Sequence, residues 1–328
     1  MSEWSGRRVL VTGAGGFIGS HLCERLVELG ADVRGLVEYN SLGSWGWLDE
    51  SPVRSDMEIV LGDVRDRDAT VAAAAGSHVI YHLAALIAIP WSYEAPAAYV
   101  ETNVVGTLNV LRAAQEAGVD LFVQTSTSEV YGSAKYVPID EAHPLQGQSP
   151  YAASKIGADK IAESFHLSFG LPVATLRPFN TYGPRQSARA VIPTIVTQLL
   201  AGETVALGNV EPTRDFTYVG DTVDAFTRLG DAQDVVGRVL NVGSGAEIAI
   251  GELADRIEAV VGKRAPVQLD PARVRPPASE VDRLCADASE ARRLLGWEPR
   301  TSLDEGLAAT AAWIEQNLER YRVGAYVR

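Results

Sequence analysis

Two side chains that can move protons, Tyr151 and Lys155, stand four residues apart in a segment with a helical pattern. Residues four apart project from the same face of a helix, so the phenol and the ammonium are expected to lie together. A phenol has a pKa of about 10 and is a poor base at neutral pH, but a nearby cation stabilises the phenolate and lowers that pKa. The pair is therefore a candidate for proton transfer, although Lys155 could also be an ordinary surface lysine.

A second polar group, Ser126-Thr127-Ser128-Glu129, stands at the end of a short apolar run that predicts a strand over residues 121–126. Ligands bind at the carboxyl ends of the strands in open α/β sheets. The position of this group therefore adds weight to the tyrosine and lysine pair, which by itself is a common chance pattern. Two plain alternatives remain open: Glu129 as a solvated carboxylate at a strand end, and Thr127 as the cap of a turn.

Seven residues rich in glycine, GAGGFIG over 13–19, lie between a predicted strand (7–12) and a predicted helix (20–29). Glycine permits a tight turn, lets backbone N–H groups approach a pyrophosphate, and brings the helix N-terminus up to its negative charge. A glycine triplet alone can be an ordinary turn, but the strand–loop–helix context is the one that the motif requires. The segment therefore predicts a dinucleotide site, and the turn over 62–64 would place Asp63 near the adenine.

Apolar strand patterns alternate with helical patterns through the first half of the chain. Further strands are predicted over 32–37, 58–61, 79–83 and 173–177, and long helices over 98–117 and 151–169. Such alternation predicts a parallel sheet covered by helices on both faces, an α/β doubly wound fold of the Rossmann type. After Pro178, proline and glycine increase and the predicted helices shorten, which indicates a smaller C-terminal α/β substrate domain.

The predicted boundary between the two domains is not a single point. Residues 221–229 have a helical pattern and residues 239–242 a strand pattern, and both are expected to return to the first sheet. The expected limits are 1–178 with 216–245 for the dinucleotide-binding domain, and 179–215 with 246–328 for the substrate domain.

Composition argues against several classes of protein. The 328 residues are 46% hydrophobic and have a net charge of −13, from 29 basic and 42 acidic side chains. An acidic chain lacks the basic surface that nucleic acids need and is repelled by anionic membranes, so we expect neither partner. The two cysteines and five histidines are scattered, which argues against a disulfide framework and a metal site. With no signal-peptide pattern and no membrane span expected, we predict a cytoplasmic protein.

The glycine segment, STSEVYG (126–132) and YAASK (151–155) resemble the extended short-chain dehydrogenase/reductase family that acts on nucleotide sugars. Further blocks similar to this family are HLAA (82–85), TNVVGTLNVL (102–111), RPFNTYGPRQ (177–186), RDFTYVGD (214–221) and LGWEP (295–299). Within the family, STSE is similar to the 4,6-dehydratases. The run over 275–284 resembles GDP-mannose 4,6-dehydratase, and YNSLGSWGWLD (39–49) resembles the N-acetylglucosamine 4,6-dehydratases of legionaminic acid pathways.

The resemblance implies a nucleotide-sugar 4,6-dehydratase, which converts an NDP-hexose such as NDP-N-acetylglucosamine or GDP-mannose to its 4-keto-6-deoxy form with bound NAD(P)⁺. Tyr151 would take the proton of the 4-hydroxyl, Lys155 would hold the nicotinamide ribose, and Thr127 would bind the 4-oxygen. The ketone acidifies the C5 proton, which Glu129 could remove as a general base. The dTDP-glucose 4,6-dehydratases place an Asp before this Glu, whereas this chain has Ser128, so Glu129 would also supply the proton for the loss of water.

The resemblance also implies the contacts of cofactor and substrate. The cofactor positions, besides Tyr151 and Lys155, are Gly13, Gly16, Phe17, Ile18, Gly19, Glu38, Asp63, Val64, Leu83, Ala84 and Ala85. The substrate positions are Ser128, Asn180, Arg185, Arg214, Arg275 and Glu280, and no metal ligand is implied. The three arginines would lie near the diphosphate, because guanidinium suits bidentate contacts with phosphate. Each of them could equally be a surface or salt-bridge residue.

Functions other than dehydration remain open. A C4 epimerase needs the tyrosine, lysine and threonine but no base at C5. A UDP-glucuronate decarboxylase also carries an STSE block at a strand end. A third alternative is a non-enzymatic protein that binds NAD(P) and reports redox state, although such proteins generally lose the tyrosine or the lysine, and both are present here.

The end of the second predicted strand favours NAD over NADP. Glu38 would accept hydrogen bonds from the ribose hydroxyls and repel a 2′-phosphate, although Arg34 or Arg65 could still reach that phosphate. The family resemblance implies a homodimer as well, formed by the predicted helices 98–117 and 151–169 around a twofold axis.

Overall fold

Seven parallel strands form the central sheet of the computed structural model, which describes residues 3–202 and 204–323. The apolar strands are buried because helices cover both faces of the sheet. In chain order the strands are β1 (Arg8–Thr12), β2 (Asp32–Val37), β3 (Met57–Leu61), β4 (Val79–His82), β5 (Leu121–Thr125), β6 (Val173–Pro178), β7 (Thr181–Tyr182), β8 (Val205–Leu207), β9 (Thr213–Asp215), β10 (Thr217–Tyr218), β11 (Val239–Val242), β12 (Glu247–Ala249) and β13 (Val267–Leu269). The predicted Rossmann-type parallel sheet is confirmed.

The order of the strands places a crevice at the middle of the sheet. The order is β11-β6-β5-β4-β1-β2-β3, so the chain runs outward from β1 on one side and then crosses back to continue from β4 on the other. Strands β1 and β4 pair in parallel, with Thr12 opposite His82. Ligands bind at such a reversal, outside the carboxyl ends of the strands. The segments that follow Thr12 and His82 therefore flank the expected ligand.

The helices that cover the sheet begin and end at residues that suit their termini. They are α1 (Phe17–Glu28), α2 (Arg67–Ala74), α3 (Ile89–Glu94), α4 (Pro96–Tyr99), α5 (Gly106–Ala117), α6 (Pro150–Phe169), α7 (Val191–Ala201), α8 (Val219–Asp231), α9 (Ile250–Val261), α10 (Ser289–Leu295) and α11 (Leu303–Gln316). The Ser149 hydroxyl accepts the Ala152 N–H at the start of α6, and Gly170 ends this helix with a φ of 69°. None of the helices within 3–202 and 204–323 is long and apolar enough to cross a membrane.

The helix predicted over 98–117 is interrupted. Between α4 and α5 the chain makes a π-helical turn over Val100–Val105, where Asn103 is buried. The Asn103 amide accepts the Leu86 N–H at 2.8 Å and donates to the Leu86 carbonyl at 2.9 Å. This turn therefore ties the helix to the segment that follows β4.

A second apolar core lies outside the sheet. It is built by residues between Tyr182 and Tyr321, mainly from α7, α9 and α11. Strand β11 instead pairs with β6, and α8 packs on α1, so both belong to the first layer, as the sequence indicates. The domain limits themselves stay a prediction.

Candidate active site

A cavity of about 1010 Å³ opens at the carboxyl ends of β1, β4, β5 and β6. Every cofactor and catalytic residue named from the sequence lines it. These residues are Gly13, Gly16, Phe17, Ile18, Gly19, Glu38, Asp63, Val64, Leu83, Ala84, Ala85, Thr127, Glu129, Tyr151 and Lys155. Of the six substrate residues, Ser128, Asn180, Arg214, Arg275 and Glu280 line it as well, and Arg185 does not.

The glycine segment forms a cradle with no room for side chains. Gly13 has a φ of 69°, and a Cβ on it would lie 2.9 Å from the backbone nitrogen of Ala84. A Cβ on Gly19 would collide with the Gly13 carbonyl. Helix α1 starts directly after Gly16, so its first N–H groups face the cavity, where they suit a pyrophosphate. The cradle therefore fits the dinucleotide that the sequence predicts.

The charged residues at the far end of the cradle favour a free ribose over a phosphorylated one. Glu38 lines the cavity after β2. Arg34 is engaged by Glu58, with its Nε 2.7 Å from the carboxylate, and Arg65 is engaged by Asp63, with its Nε 2.9 Å from Oδ2. Arg65 also holds the pKa of Asp63 below its usual value. Both arginines that could have reached a 2′-phosphate are thus bound to carboxylates.

Tyr151 is buried at the centre of the cavity wall, with 7% of its surface exposed. Burial raises the pKa of Tyr151, a hydrogen bond with Thr127 opposes this shift, and the charge of Glu129 reinforces it. The ring of Tyr99 packs edge-on against Tyr151, with centroids 6.2 Å apart. The sequence predicts a lowered pKa for this phenol, and the structure corrects that prediction, because burial is the largest influence and the hydrogen bond with Thr127 only partly opposes it.

Lys155 lies one turn further along α6 and is also buried. Its Nζ donates to the Thr125 carbonyl at 2.6 Å. Burial lowers the pKa of Lys155 to about 8, and the carboxylate of Asp159 partly opposes the shift. Lys155 is therefore a core cation at the end of β5 and not a surface lysine.

Thr127 and Glu129 stand where β5 ends in a short 3₁₀ turn, Ser128–Tyr131. The Thr127 hydroxyl accepts the Glu129 N–H at 3.3 Å, so Thr127 caps this turn and also faces the cavity. Glu129 is half-buried, and its charge acts on both Tyr151 and Arg214. The turn therefore points a hydroxyl and a carboxylate into the same space as the Tyr151 phenol.

A buried network that the sequence did not indicate holds these elements together. Asp159 accepts the Ser126 hydroxyl at 2.6 Å and an N–H of Arg177 at 3.1 Å. Arg177 also donates to the Tyr131 hydroxyl at 3.0 Å, and Tyr131 donates to Asn241 at 2.7 Å. The ends of β5, β6 and β11 are thereby fixed to the helix that carries Tyr151.

A second chain of hydrogen bonds runs through His82, which sequence analysis left without a role. The Thr12 hydroxyl donates to His82 Nδ1 at 2.8 Å, and His82 Nε2 donates to Thr107 at 3.0 Å, since the Thr107 hydroxyl itself donates to the Asn103 carbonyl. Burial lowers the pKa of His82 to about 3, so the ring is neutral in this chain. The neutral imidazole joins β1 and β4 to the π-helical turn.

At the opposite end of the cavity one carboxylate holds two arginines. Glu280 Oε1 lies 3.5 Å from Arg214 Nη2 and 3.6 Å from Arg275 Nη1. Burial lowers the pKa of Arg214, and Arg275 Nη1 is buried with no hydrogen-bond partner in the described chain. Asn180 is fixed nearby by the Asp215 carbonyl at 3.2 Å. Two arginines that share one carboxylate, with Arg214 buried, suit an anionic ligand.

The structure corrects the placement of Arg185. Its Nη2 donates to Glu24 Oε1 at 2.9 Å and its Nη1 donates to Glu24 Oε2 at 3.0 Å. This pairing with α1 turns the guanidinium away from the cavity. The residues of this segment that do line the cavity include Gln186, Ser187 and Arg189, which the sequence reading missed. Within the described chain, no group of three or more residues could hold a metal ion.

Known proteins are similar to this chain in both sequence and fold. The family model described as GDP-mannose 4,6 dehydratase matches residues 10–310. The UDP-glucose 4-epimerase of Mycolicibacterium smegmatis is 37% identical over 309 residues, covering 92% of this chain and 97% of that protein. The dTDP-glucose 4,6-dehydratase of Streptomyces antibioticus is 34% identical, covering 94% and 92%.

Solved structures give the same picture. DesIV, a dTDP-glucose 4,6-dehydratase from Streptomyces venezuelae solved with NAD, superposes with a TM-score of 0.89 at 32% identity, covering 96% of this chain and 99% of that chain. The UDP-glucuronic acid 4-epimerase of Bacillus cereus, in complex with UDP-glucuronic acid and NAD, superposes with a TM-score of 0.86 at 29% identity, covering 94% and 99%.

The Rossmann-type sheet, the glycine cradle and the paired tyrosine and lysine define the class of extended short-chain dehydrogenases/reductases. Within that class the chain belongs to the family of nucleotide-sugar 4,6-dehydratases and 4-epimerases, with which its sequence and fold agree over nearly their whole length.

Proposed function

We propose that the protein is a nucleotide-sugar 4,6-dehydratase, a lyase that converts an NDP-hexose to its 4-keto-6-deoxy form with loss of water. The observation that carries this proposal is the carboxylate of Glu129, which faces the cavity beside Thr127 and Tyr151. A dehydratase needs a base for the C5 proton, whereas an epimerase does not. Glu129 supplies such a base next to the residues for the 4-hydroxyl.

The cofactor in this proposal is NAD. The cradle of Gly13, Gly16 and Gly19 suits its pyrophosphate, and Glu38 suits a free ribose hydroxyl pair. The neighbours solved with NAD support the same choice. A bound NAD would supply the acceptor for the C4 hydride and, once reduced, the hydride donor for C6 of the unsaturated ketone.

The side chains would then divide the proton transfers. Tyr151 takes the proton of the 4-hydroxyl, and the charge of Lys155 offsets the cost of forming a buried phenolate. Thr127, which hydrogen-bonds to Tyr151, orients the 4-oxygen. Glu129 removes the C5 proton and, because Ser128 offers no carboxyl group, also protonates the 6-hydroxyl as it leaves as water. C5 then takes a proton from solvent as the hydride reaches C6, and Tyr151 releases the proton of the 4-hydroxyl to solvent.

The substrate is a sugar linked to a nucleoside diphosphate. In our proposal, Arg214 and Arg275 bind the diphosphate, and Glu280 holds the two arginines in place. Asn180 and Ser128 contact the part of the substrate that lies between the phosphates and Tyr151. We further propose a homodimer and a cytoplasmic location. Both cysteines are buried free thiols, which suits a reducing compartment.

Replacing Glu129 by Gln tests the proposal, because the change keeps the shape and removes the base. We expect the rate of water loss, followed by mass spectrometry over a panel of UDP-, GDP-, CDP- and dTDP-sugars, to fall about 10²–10⁴-fold. Oxidation at C4 should still occur, so reduced cofactor should accumulate on the variant and be visible by its absorbance. Glu163→Gln, an exposed carboxylate on α6, is the matched control and should leave turnover unchanged.

The alternative is a C4 epimerase, which the epimerase relatives favour. In that case Glu129→Gln would leave turnover nearly intact, because hydride returns to C4 and no C5 proton moves. Solvent deuterium separates the two reactions, since only dehydration incorporates it at C5. A wild-type product of unchanged mass, inverted at C4 and free of deuterium, would end the dehydratase proposal.

A further inference from the structure

Arg185 ties the segment between β7 and α7 to the nucleotide-binding helix α1. Arg185 adopts a φ of 70°, the left-handed conformation that is unfavourable for residues with a Cβ. Its guanidinium forms two parallel hydrogen bonds with Glu24 of α1 and a third, at 3.1 Å, with Ser20. The side chains of Arg185 and Glu24 are 17% and 16% exposed. Because a bidentate pair is directional, it fixes the backbone at Arg185 relative to α1.

The residues that follow Arg185 present a different arginine to the cavity. Arg189 lines the cavity, and its Nε donates only to the Ser187 hydroxyl, at 3.2 Å. The other arginines of the cavity wall are paired with carboxylates: Arg65 with Asp63, Arg214 and Arg275 with Glu280, and Arg273 with Asp270. Among the described residues, Arg189 is thus the arginine of the wall without an acidic partner.

The charge of Arg189 reaches the reacting end of the cavity. It lowers the pKa of the Tyr99 phenol, although burial raises that pKa more strongly. The Tyr99 ring packs against Tyr151. The Arg189 guanidinium is therefore within electrostatic reach of the Tyr99–Tyr151 pair as well as of a ligand bound in the cavity.

We propose that Arg185 is a positioning residue and Arg189 the residue that it positions: the Arg185–Glu24 ion pair holds residues 186–190 against α1, so that the Arg189 guanidinium faces the anionic part of the substrate. The role of Arg189 rests on the proposed function, which supplies a nucleoside diphosphate as that anion. Helix α1 then orients both ligands, since its N-terminus faces the pyrophosphate of the cofactor and Glu24, two turns on, fixes the substrate segment.

Hydrogen exchange tests the positioning role without any substrate. We expect Arg185→Ala and Glu24→Ala to speed exchange at least about tenfold over residues 183–190, where the Ala190 N–H is bonded to Ser187. The matched control is Arg25→Ala, which removes an exposed ion pair with Glu28 on the same helix and should leave this segment unchanged. If Arg185→Ala does not fold, Glu24→Gln serves in its place. Unchanged exchange over 183–190 would overturn the proposal.

Binding of UDP, GDP and dTDP at saturating NAD⁺ tests the role of Arg189. For the diphosphate that binds most tightly, we expect Arg189→Ala and Arg185→Ala each to weaken binding about tenfold. The double variant should bind as weakly as Arg189→Ala alone, and the affinity for NAD⁺ should stay within about twofold. If Arg185→Ala weakens binding while Arg189→Ala binds as tightly as the wild type, Arg185 contacts the ligand directly and the proposal is overturned.

The two experiments also separate this inference from the proposed function. If none of the three diphosphates binds to the wild-type protein, the proposed function and the role of Arg189 are both contradicted. Exchange over residues 183–190 still decides the role of Arg185 in that case.

Discussion

Lys155 carries its charge in an environment that opposes it. Its Nζ donates to the Thr125 carbonyl, and only 5% of the residue is exposed. Burial lowers its pKa to about 8, whereas the nearby Asp159 carboxylate acts in the opposite direction. The ammonium is therefore close to losing its proton just above neutral pH, and with it the charge that would offset a Tyr151 phenolate.

We predict that activity falls as the pH rises through about 8. An ordinary lysine loses its proton above pH 10, but the lowered pKa of Lys155 moves this loss to about pH 8. The protonated fraction of Lys155 therefore drops from about nine-tenths at pH 7 to about one-tenth at pH 9. The measurement is kcat/KM against pH with a substrate from the nucleotide-sugar panel. Lys160→Met, an exposed lysine on the same helix, should keep the wild-type profile. A wild-type profile that stays flat to about pH 10 would contradict the prediction.

The candidate catalytic residues could be predicted from the sequence, but the buried residues that hold them in place could not. Tyr151 and Lys155 are related by the local geometry of one helix, and local geometry can be read from spacing. Asp159 continues the same spacing, yet its partners Ser126 and Arg177 come from two separate strands. Pairing across elements depends on tertiary packing, which the sequence does not display. For the same reason sequence analysis put Arg185 at the phosphates when its partner lies on α1.

Among the elements, the cradle depends on how closely two stretches of backbone approach. The loop after β1 folds back on the start of α1, and the segment after β4 packs against it at Gly13. Gly19, in the first turn of α1, is the tightest point of the cradle, because a Cβ there would meet the Gly13 carbonyl, which is backbone and cannot move aside. The cradle is therefore intolerant of a single methyl group.

We predict that Gly19→Ala weakens NAD⁺ binding at least about tenfold and lowers the free energy of unfolding by about 1–3 kcal/mol, the usual cost of overpacking. Binding is measured by titrating cofactor-free protein, and stability by denaturant unfolding. The matched control is Gly251→Ala on α9, where the new Cβ would lie at an ordinary 3.7 Å from Val210. This change should leave NAD⁺ binding unaltered and be neutral or slightly stabilising. If Gly19→Ala binds NAD⁺ as tightly as the wild type, the glycine segment does not form the cofactor site that we describe.

Element limits followed the sequence where periodicity was strong. The helix predicted over 151–169 is confirmed to within one residue, because its helical pattern continues unbroken up to Gly170, which ends it. Strands β7, β9 and β10 are too short to show any alternation, and they were not predicted. The π-helical turn was missed as well, since Asn103 there makes its contacts with Leu86, which lies before α3.

On the whole molecule, four of the exposed apolar side chains lie on α6 and on the π-helical turn that precedes α5. The exposed fractions are 51% for Val100, 42% for Val105, 75% for Leu167 and 50% for Phe169. Helices α5 and α6 pack side by side, with Arg112 of α5 over the ring of Phe169. Exposed apolar side chains on adjacent elements suit contact with a second copy of an acidic chain.

We predict a homodimer that uses this face, with a mass in light scattering of twice the 35.1 kDa of one chain. Leu167→Glu should weaken the dimer about a hundredfold or more, because a twofold axis would bury the added carboxylate twice among apolar side chains. Leu269→Glu is the matched control, since Leu269 is 68% exposed on β13, which pairs with β8 outside the central sheet, so this variant should remain dimeric. If the wild-type protein has the mass of one chain at micromolar concentration, the dimer is excluded. If Leu167→Glu and Leu269→Glu weaken the dimer equally, the interface lies elsewhere.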